Sequence, residues 1–223
     1  MYLLPQYTHI INPKLKHIYL SFDAYGGLII KSPRVSQRHI ENLILKKSSW
    51  IEKSRETLRN KKGKVVNFSD PSELYFMGKA YPLILTAHSK NKSTLHFDAS
   101  SFTLLYSKYD ELLFQKQINH FYKTEAQKYI PKSVSRWSKR MGLYPTDIRF
   151  RKTKRQWGSC SVKNVLNFNT MMMKLPQDVI QYIIVHELVH IKYKHHQKAF
   201  WEELGSYLPD YKLQVAELKT YIP

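Results

Sequence analysis

From Val179 to Ile191 the apolar residues fall so densely that almost no polar face remains. Val179, Ile180, Tyr182, Ile183, Ile184, Val185, Leu188, Val189 and Ile191 surround the helix that this spacing predicts, and neither glycine nor proline interrupts it. Such a helix is buried on most sides. Pro176 is tolerated in a helix's first turn. Asp178 follows there, where the helix dipole favours a negative charge.

Elsewhere the pattern differs. Ile18, Leu20 and Phe22 alternate with Tyr19 and Ser21, the period of a half-buried strand. Asp23-Ala24-Tyr25-Gly26-Gly27 reads as a turn and Leu28-Ile29-Ile30 as the returning strand. Ser36 can cap a helix carrying Ile40, Leu43 and Ile44, and Ser49-Trp50-Ile51-Glu52 reads as a capping box for the next. Short strands are predicted at 74–76, 81–85, 94–97 and 102–106, with Gly78-Lys79 turning between the first two. A helix over 110–129 is predicted to break at Pro131 and resume as a second helix to Met141, with Gly142 ending it. Strands at 148–151 and 165–168 flank a loop, Trp157-Gly158-Ser159-Cys160. The buried helix, a short helix through Phe200-Trp201 and a last helix after Pro209 complete an α+β chain. The expected division is a smaller β-rich amino-terminal lobe with two helices, residues 1–108, and a second domain, residues 109–223.

The buried helix carries His186-Glu187-Leu188-Val189-His190. Four residues make one turn plus about 40°, so both imidazoles project from one face and can grip one metal ion. Glu187 lies beside them and can take a proton from a metal-bound water. Buried polar groups cost free energy unless they are partnered, and a metal supplies a partner. A catalytic zinc site needs a third protein ligand. On an unbroken helix His196 would lie about 120° from His190, so the helix must end or bend after Tyr193 for His196 to join. His186, His190 and His196 have the spacing of the metzincin string, but Tyr193 stands where that string has glycine. His195, Glu202 and Glu203 are the rival third ligands. His196 is preferred to His195, and either histidine to a glutamate.

Further residues mark the same region. They are Trp157-Gly158-Ser159-Cys160-Ser161, Leu166-Asn167, Pro176, Tyr182, Val185-His186-Glu187-Leu188, His196, Phe200-Trp201 and Leu208-Pro209-Asp210-Tyr211. In order and spacing over about residues 125–215 the chain resembles the YgjP-like metallopeptidases, relatives of the WLM and SprT-like groups. Upstream the likeness is looser, through Tyr19-Leu20, Ile30-Lys31-Ser32-Pro33, Trp50-Ile51 and Met77-Gly78-Lys79. The resemblance implies a zincin-like catalytic domain, built on a metal-binding active-site helix and a small sheet. It implies Zn2+ bound by His186, His190 and His196, with Glu187 as the catalytic base. Peptide or protein substrates follow from it. Proteins similar to this one are also linked to nucleotide pyrophosphatase activity, which leaves a metal-dependent nucleoside triphosphate pyrophosphohydrolase as an alternative.

Composition narrows the setting. No apolar run reaches the length of a membrane span. The amino-terminal residues lack the charged start and sustained apolar region of a signal peptide. The single cysteine, Cys160, excludes an internal disulfide and suits a cytoplasmic location. Charge is the unusual feature. The net value is +19. Residues 31–64 carry eleven basic side chains against three acidic, and residues 116–155 carry twelve against two. Residues 186–223 are balanced, with five of each. The two basic regions suit nucleic acid or acidic protein partners, and equally a solvated lysine-rich surface. A nucleic-acid-associated protein with a structural zinc is therefore a further alternative.

Other residues have weaker signals. Cys160 reads as a structural thiol. Asn167 reads either as a residue bordering the substrate or as a strand end. Arg155 could orient a carbonyl or a phosphate, and Tyr193 or Tyr211 could donate to an oxyanion.

Overall fold

A computed structural model describes residues 4–23, 26–64, 66–68, 72–89 and 92–223. The chain divides into two compact units, Met1–Val65 and Val66–Pro223. In the first, β1 (Tyr7–Ile11) and β2 (Tyr19–Phe22) flank β3 (Leu28–Ser32), parallel and antiparallel respectively. The predicted returning strand is β3, and Ala24 and Tyr25 of the turn before it lie outside the described residues. Strand β1 escapes the sequence pattern because Ile10 and Ile11 are adjacent and both exposed. Helices α1 (Gln37–Lys46) and α2 (Ser48–Arg59) follow. Ser36 caps α1 as expected, its Oγ accepting from the His39 N–H at 3.3 Å. The expected capping box at Ser49 is absent. Lys47 ends α1 and begins α2 at once, so Ser49 is already inside the helix. Leu28, Ile30, Ile40, Ile44 and Ile51 form this unit's core.

In the second unit β4 (Ser72–Phe76), β5 (Lys79–Ala87), β6 (Thr94–Phe97) and β7 (Phe102–Tyr106) form a sheet of order β4-β5-β7-β6. The expected boundary near residue 108 is not where the units part. Leu74, Phe102 and Leu104 of this sheet share one core with Phe114, Ile118 and Tyr122 of α3 (Glu111–Met141), so the sheet belongs with the chain that follows it. Pro131 does not divide α3. The proline forfeits one helical hydrogen bond. The buried stripe Ala126, Ile130, Val134, Trp137 and Met141 passes straight through it and keeps the helix seated. Gly142 ends α3 in the left-handed conformation, with its N–H on the Ser138 carbonyl.

Strands β8 (Asp147–Arg151), β9 (Gly158–Cys160) and β10 (Val165–Asn169) make a second sheet of order β8-β10-β9. Part of the predicted Trp157–Cys160 loop is thus strand β9. A 3-10 turn (Thr170–Lys174) leads to α4 (Gln177–Lys192), then α5 (Lys198–Tyr207) and α6 (Tyr211–Leu218). The α+β architecture expected from the sequence is present.

Two contacts seat α4. The β4–β5 turn closes on its start, with the Met77 and Gly78 N–H groups donating to the Met173 and Lys174 carbonyls at 2.8 and 3.1 Å. Gly78 has φ +83°, and a Cβ there would stand 2.8 Å from Pro176. Buried Gln181 joins α4 to α3. Its Oε1 accepts from Trp137 Nε1 at 2.7 Å and Arg136 Nη2 at 2.8 Å. Its Nε2 donates to Tyr129 Oη and Ser133 Oγ. Among the described residues no helix is long and apolar enough to cross a membrane.

Candidate metal centre

Helix α4 presents His186 and His190 one turn apart, as the spacing predicts. It ends at Lys192, and Tyr193 continues as extended backbone with φ −120° and ψ 103°. Nothing at this position demands glycine, which is why tyrosine can replace the glycine of the metzincin string. The chain turns here and returns His196 to the other two histidines. The ligand-capable atoms of His186, His190 and His196 lie within 4.8 Å of one another. His196 Nε2 is 2.9 Å from His186 Nε2 and 3.1 Å from His190 Nε2.

These residues fit a divalent metal. The Tyr193 carbonyl, 2.9 Å away, can only accept, so His190 Nδ1 carries a proton and donates it there. In the neutral ring this leaves a lone pair on Nε2. Burial, then the neighbouring His190 and His196, push the His186 pKa down to about 3. Burial also lowers that of His190, against the opposing Tyr193 bond. A zinc ligand must be a neutral imidazole. Nitrogens on a tetrahedral zinc with bonds of 2.0–2.1 Å sit about 3.3 Å apart, close to the separations found. Tyr182 Oη lies 3.3 Å from His186 Nδ1 and supports that ring from outside.

Glu187 is 5% exposed. Its Oε2 is buried with no hydrogen-bond partner among the described residues. Burial pushes its pKa up to about 8. Its other oxygen faces β9, where a Cβ on Gly158 would stand 2.6 Å from Oε1. A carboxyl so placed is a strong base in a dry setting beside three converging imidazoles.

The other expected residues fall around this centre. The His195 side chain is outside the histidine cluster. Glu202 pairs with Lys198 at 3.5 Å and Glu203 with Lys192 at 2.9 Å. Cys160 is half-buried against the core, and burial raises its thiol pKa. Asn167 stands on β10 with its side chain away from the core. Arg155 is exposed in the loop before β9. Tyr193 serves through its carbonyl, and the Tyr211 ring stacks on Trp201 at 5.5 Å.

Several supports have no local signal in the sequence. Trp201 stacks on His196 with centroids 5.6 Å apart, and its Nε1–H donates to the His196 carbonyl at 3.2 Å. Lys194 Nζ donates to Asn164 Oδ1 at 2.6 Å and to the Ser161 carbonyl at 3.2 Å, fastening the third-histidine loop to the β9–β10 hairpin. The Asn169 amide holds the loop before β9 through the Thr153 and Gln156 carbonyls, at 2.9 and 3.1 Å.

Comparison with known proteins gives a family match over nearly the whole chain. The YgjP-like metallopeptidase domain matches residues 16–221. Two solved structures are similar over shorter spans. The metallopeptidase zymogen of Pyrococcus abyssi abylysin is 23% identical over 36% of this chain and 80% of its own, with TM-score 0.34. That of Methanocaldococcus jannaschii jannalysin is 27% identical over 40% of this chain and 91% of its own, with TM-score 0.36. No curated protein matches.

Proposed function

Because the chain belongs to the YgjP-like metallopeptidase family, we propose that it is a zinc-dependent peptidase in which His186, His190 and His196 hold the metal and Glu187 is the general base. The observation that carries this reading is the convergence of three imidazoles beside a buried carboxyl whose Oε2 has no partner among the described residues. The chemistry that zinc supplies when bound is Lewis acidity, toward a peptide carbonyl and toward water.

The chain's own residues do the rest. Glu187 Oε2 takes a proton from the attacking water and returns it to the leaving amine. Burial makes the carboxyl basic enough for the first transfer, and the proton it then holds serves the second. The Tyr193 carbonyl fixes the His190 tautomer, and Trp201 orients His196. Strand β9 pairs only with β10 among the described strands, leaving its other edge open for an extended peptide to add as a further strand. The lone cysteine fits a cytoplasmic setting.

Zinc-reconstituted protein incubated with a peptide library and with nucleoside triphosphates tests the proposal. Peptide cleavage without pyrophosphate release is expected. Pyrophosphate release with intact peptides would assign the centre to a nucleotide hydrolase instead.

A further inference from the structure

The β8-β10-β9 sheet has two unlike faces. Ile148, Phe150, Leu166 and Phe168 turn toward the core. By strand alternation Arg149 and Arg151 of β8, Asn167 of β10 and Ser159 of β9 occupy the opposite face. The register sets Arg149 beside Asn167, and Asn167 beside Ser159. Two adjoining clefts lie along this face. The larger, about 560 Å³, is lined by Arg149, Arg151, Lys163 and Asn167 among others. The smaller, about 90 Å³, is lined by Arg151 and Asn167 together with Trp157, Gly158 and Ser159. Arg151 and Asn167 belong to both, and the smaller cleft reaches Gly158, the residue packed on Glu187.

Every charged side chain lining these clefts is basic. Arg149 is already bonded to Asp147 at 2.8 Å. Arg151 and Lys163 form no side-chain hydrogen bond or ion pair among the described residues, and neither do the Asn167 amide and the Ser159 hydroxyl. The unengaged cations Arg151 and Lys163 line one face together with the Asn167 amide and the Ser159 hydroxyl, and donors so grouped suit an anionic oxygen ligand. A guanidinium forks onto a carboxylate through two parallel N–H donors, and an amide can add a third. A peptide added to the open edge of β9 turns alternate side chains toward this same face.

We infer that this face is a substrate subsite in which Arg151, with Asn167 and Lys163, selects peptides carrying an aspartate or glutamate near the scissile bond. The inference rests on the peptidase reading above and gives the substrate a chemical class. It also gives a local use to part of the chain's basic excess.

Zinc-reconstituted full-length protein is assayed on matched peptides that differ only in Asp or Glu against Asn or Gln around the cleaved bond. Acidic peptides are expected to have kcat/KM higher by about fivefold, carried by KM because the contact is made in the ground state as well. The preference should shrink as salt is raised. Arg151→Glu should reverse it in favour of lysine-bearing peptides, and Arg151→Lys should keep its direction. Equal cleavage of acidic and neutral peptides overturns the subsite while leaving the peptidase reading intact. So does an acidic preference that survives in Arg151→Glu. An oligonucleotide of matched charge that binds tightly through Arg151, while acidic peptides gain nothing, assigns the face to nucleic acid and also overturns it. If no peptide is cleaved, the peptidase reading itself fails, and this inference with it.

Discussion

The Cβ that Gly158 lacks would stand 2.6 Å from Oε1 of Glu187 and 2.8 Å from its Cγ. Strand β9 therefore lies directly on the Glu187 carboxyl, the general base of the proposed reaction, and only glycine permits that approach. Buried as it is, Glu187 has little room to yield. Gly158→Ala is expected to displace the carboxyl while the three histidines stay in place. Displacement of a catalytic group by about 1 Å can cost on the order of a hundredfold in rate. Peptide turnover and metal content measured on one preparation should show kcat falling by about that factor with metal retained.

Trp201 grips His196 twice, by stacking on its ring and by donating to its carbonyl. His196 is the exposed member of the triad, so it depends most on such support. Trp201→Ala should weaken zinc binding about 10- to 100-fold, the usual effect of losing a group that orients a ligand. Trp201→Phe, which keeps a stacking ring and loses the N–H, should fall between. Competition with a chromogenic chelator reads the affinities, and equal affinities in all three proteins would remove Trp201 from this role.

Gln181 satisfies four polar partners between α3 and α4. Gln181→Leu fits the space but strands the Trp137 N–H and its companions. We expect a loss of about 3 kcal/mol, the cost of leaving buried donors unpaired. Urea unfolding should show a lower midpoint with an unchanged slope.

These three positions mark where local pattern stops informing. His186, Glu187 and His190 are legible because helix geometry alone sets their relation. His196 needs the further fact that α4 ends at Lys192. Tyr193 ends it in extended backbone, so no glycine announces the turn. The contacts of Gly158 with Glu187 and of Gln181 with Trp137 join residues far apart in sequence, and no spacing rule reports them. The same holds for the unit boundary. Strands β4 to β7 resemble those upstream, and only their sharing of a core with Phe114, Ile118 and Tyr122 assigns them downstream. At Pro131 a local rule was legible and lost, because burial of Ile130, Val134 and Trp137 outweighs one missing hydrogen bond.

Lys174 gives a pH signature of folding. Burial, then the nearby Lys152 charge, lower its pKa from 10.5 to about 8. Below about 8 both folded and unfolded chains hold the proton, and the penalty of burying the charge is constant. Between about 8 and 10.5 the unfolded chain holds more protons, so this residue makes stability rise with pH. Lys174→Met removes the contribution. The stability gap between variant and parent should favour the variant by about 2 kcal/mol more at pH 7 than near pH 10. Parallel unfolding curves across this range measure the gap, and a constant difference would contradict the assignment.

Glu187→Gln separates metal binding from proton transfer. The amide keeps the size of the carboxyl and cannot accept the proton. Zinc content and peptide hydrolysis are measured on the same purified variant beside the parent. The expected result is zinc bound as in the parent, with hydrolysis reduced by at least about a hundredfold. Zinc retained together with undiminished hydrolysis would contradict Glu187 as the base on which the proposed reaction depends.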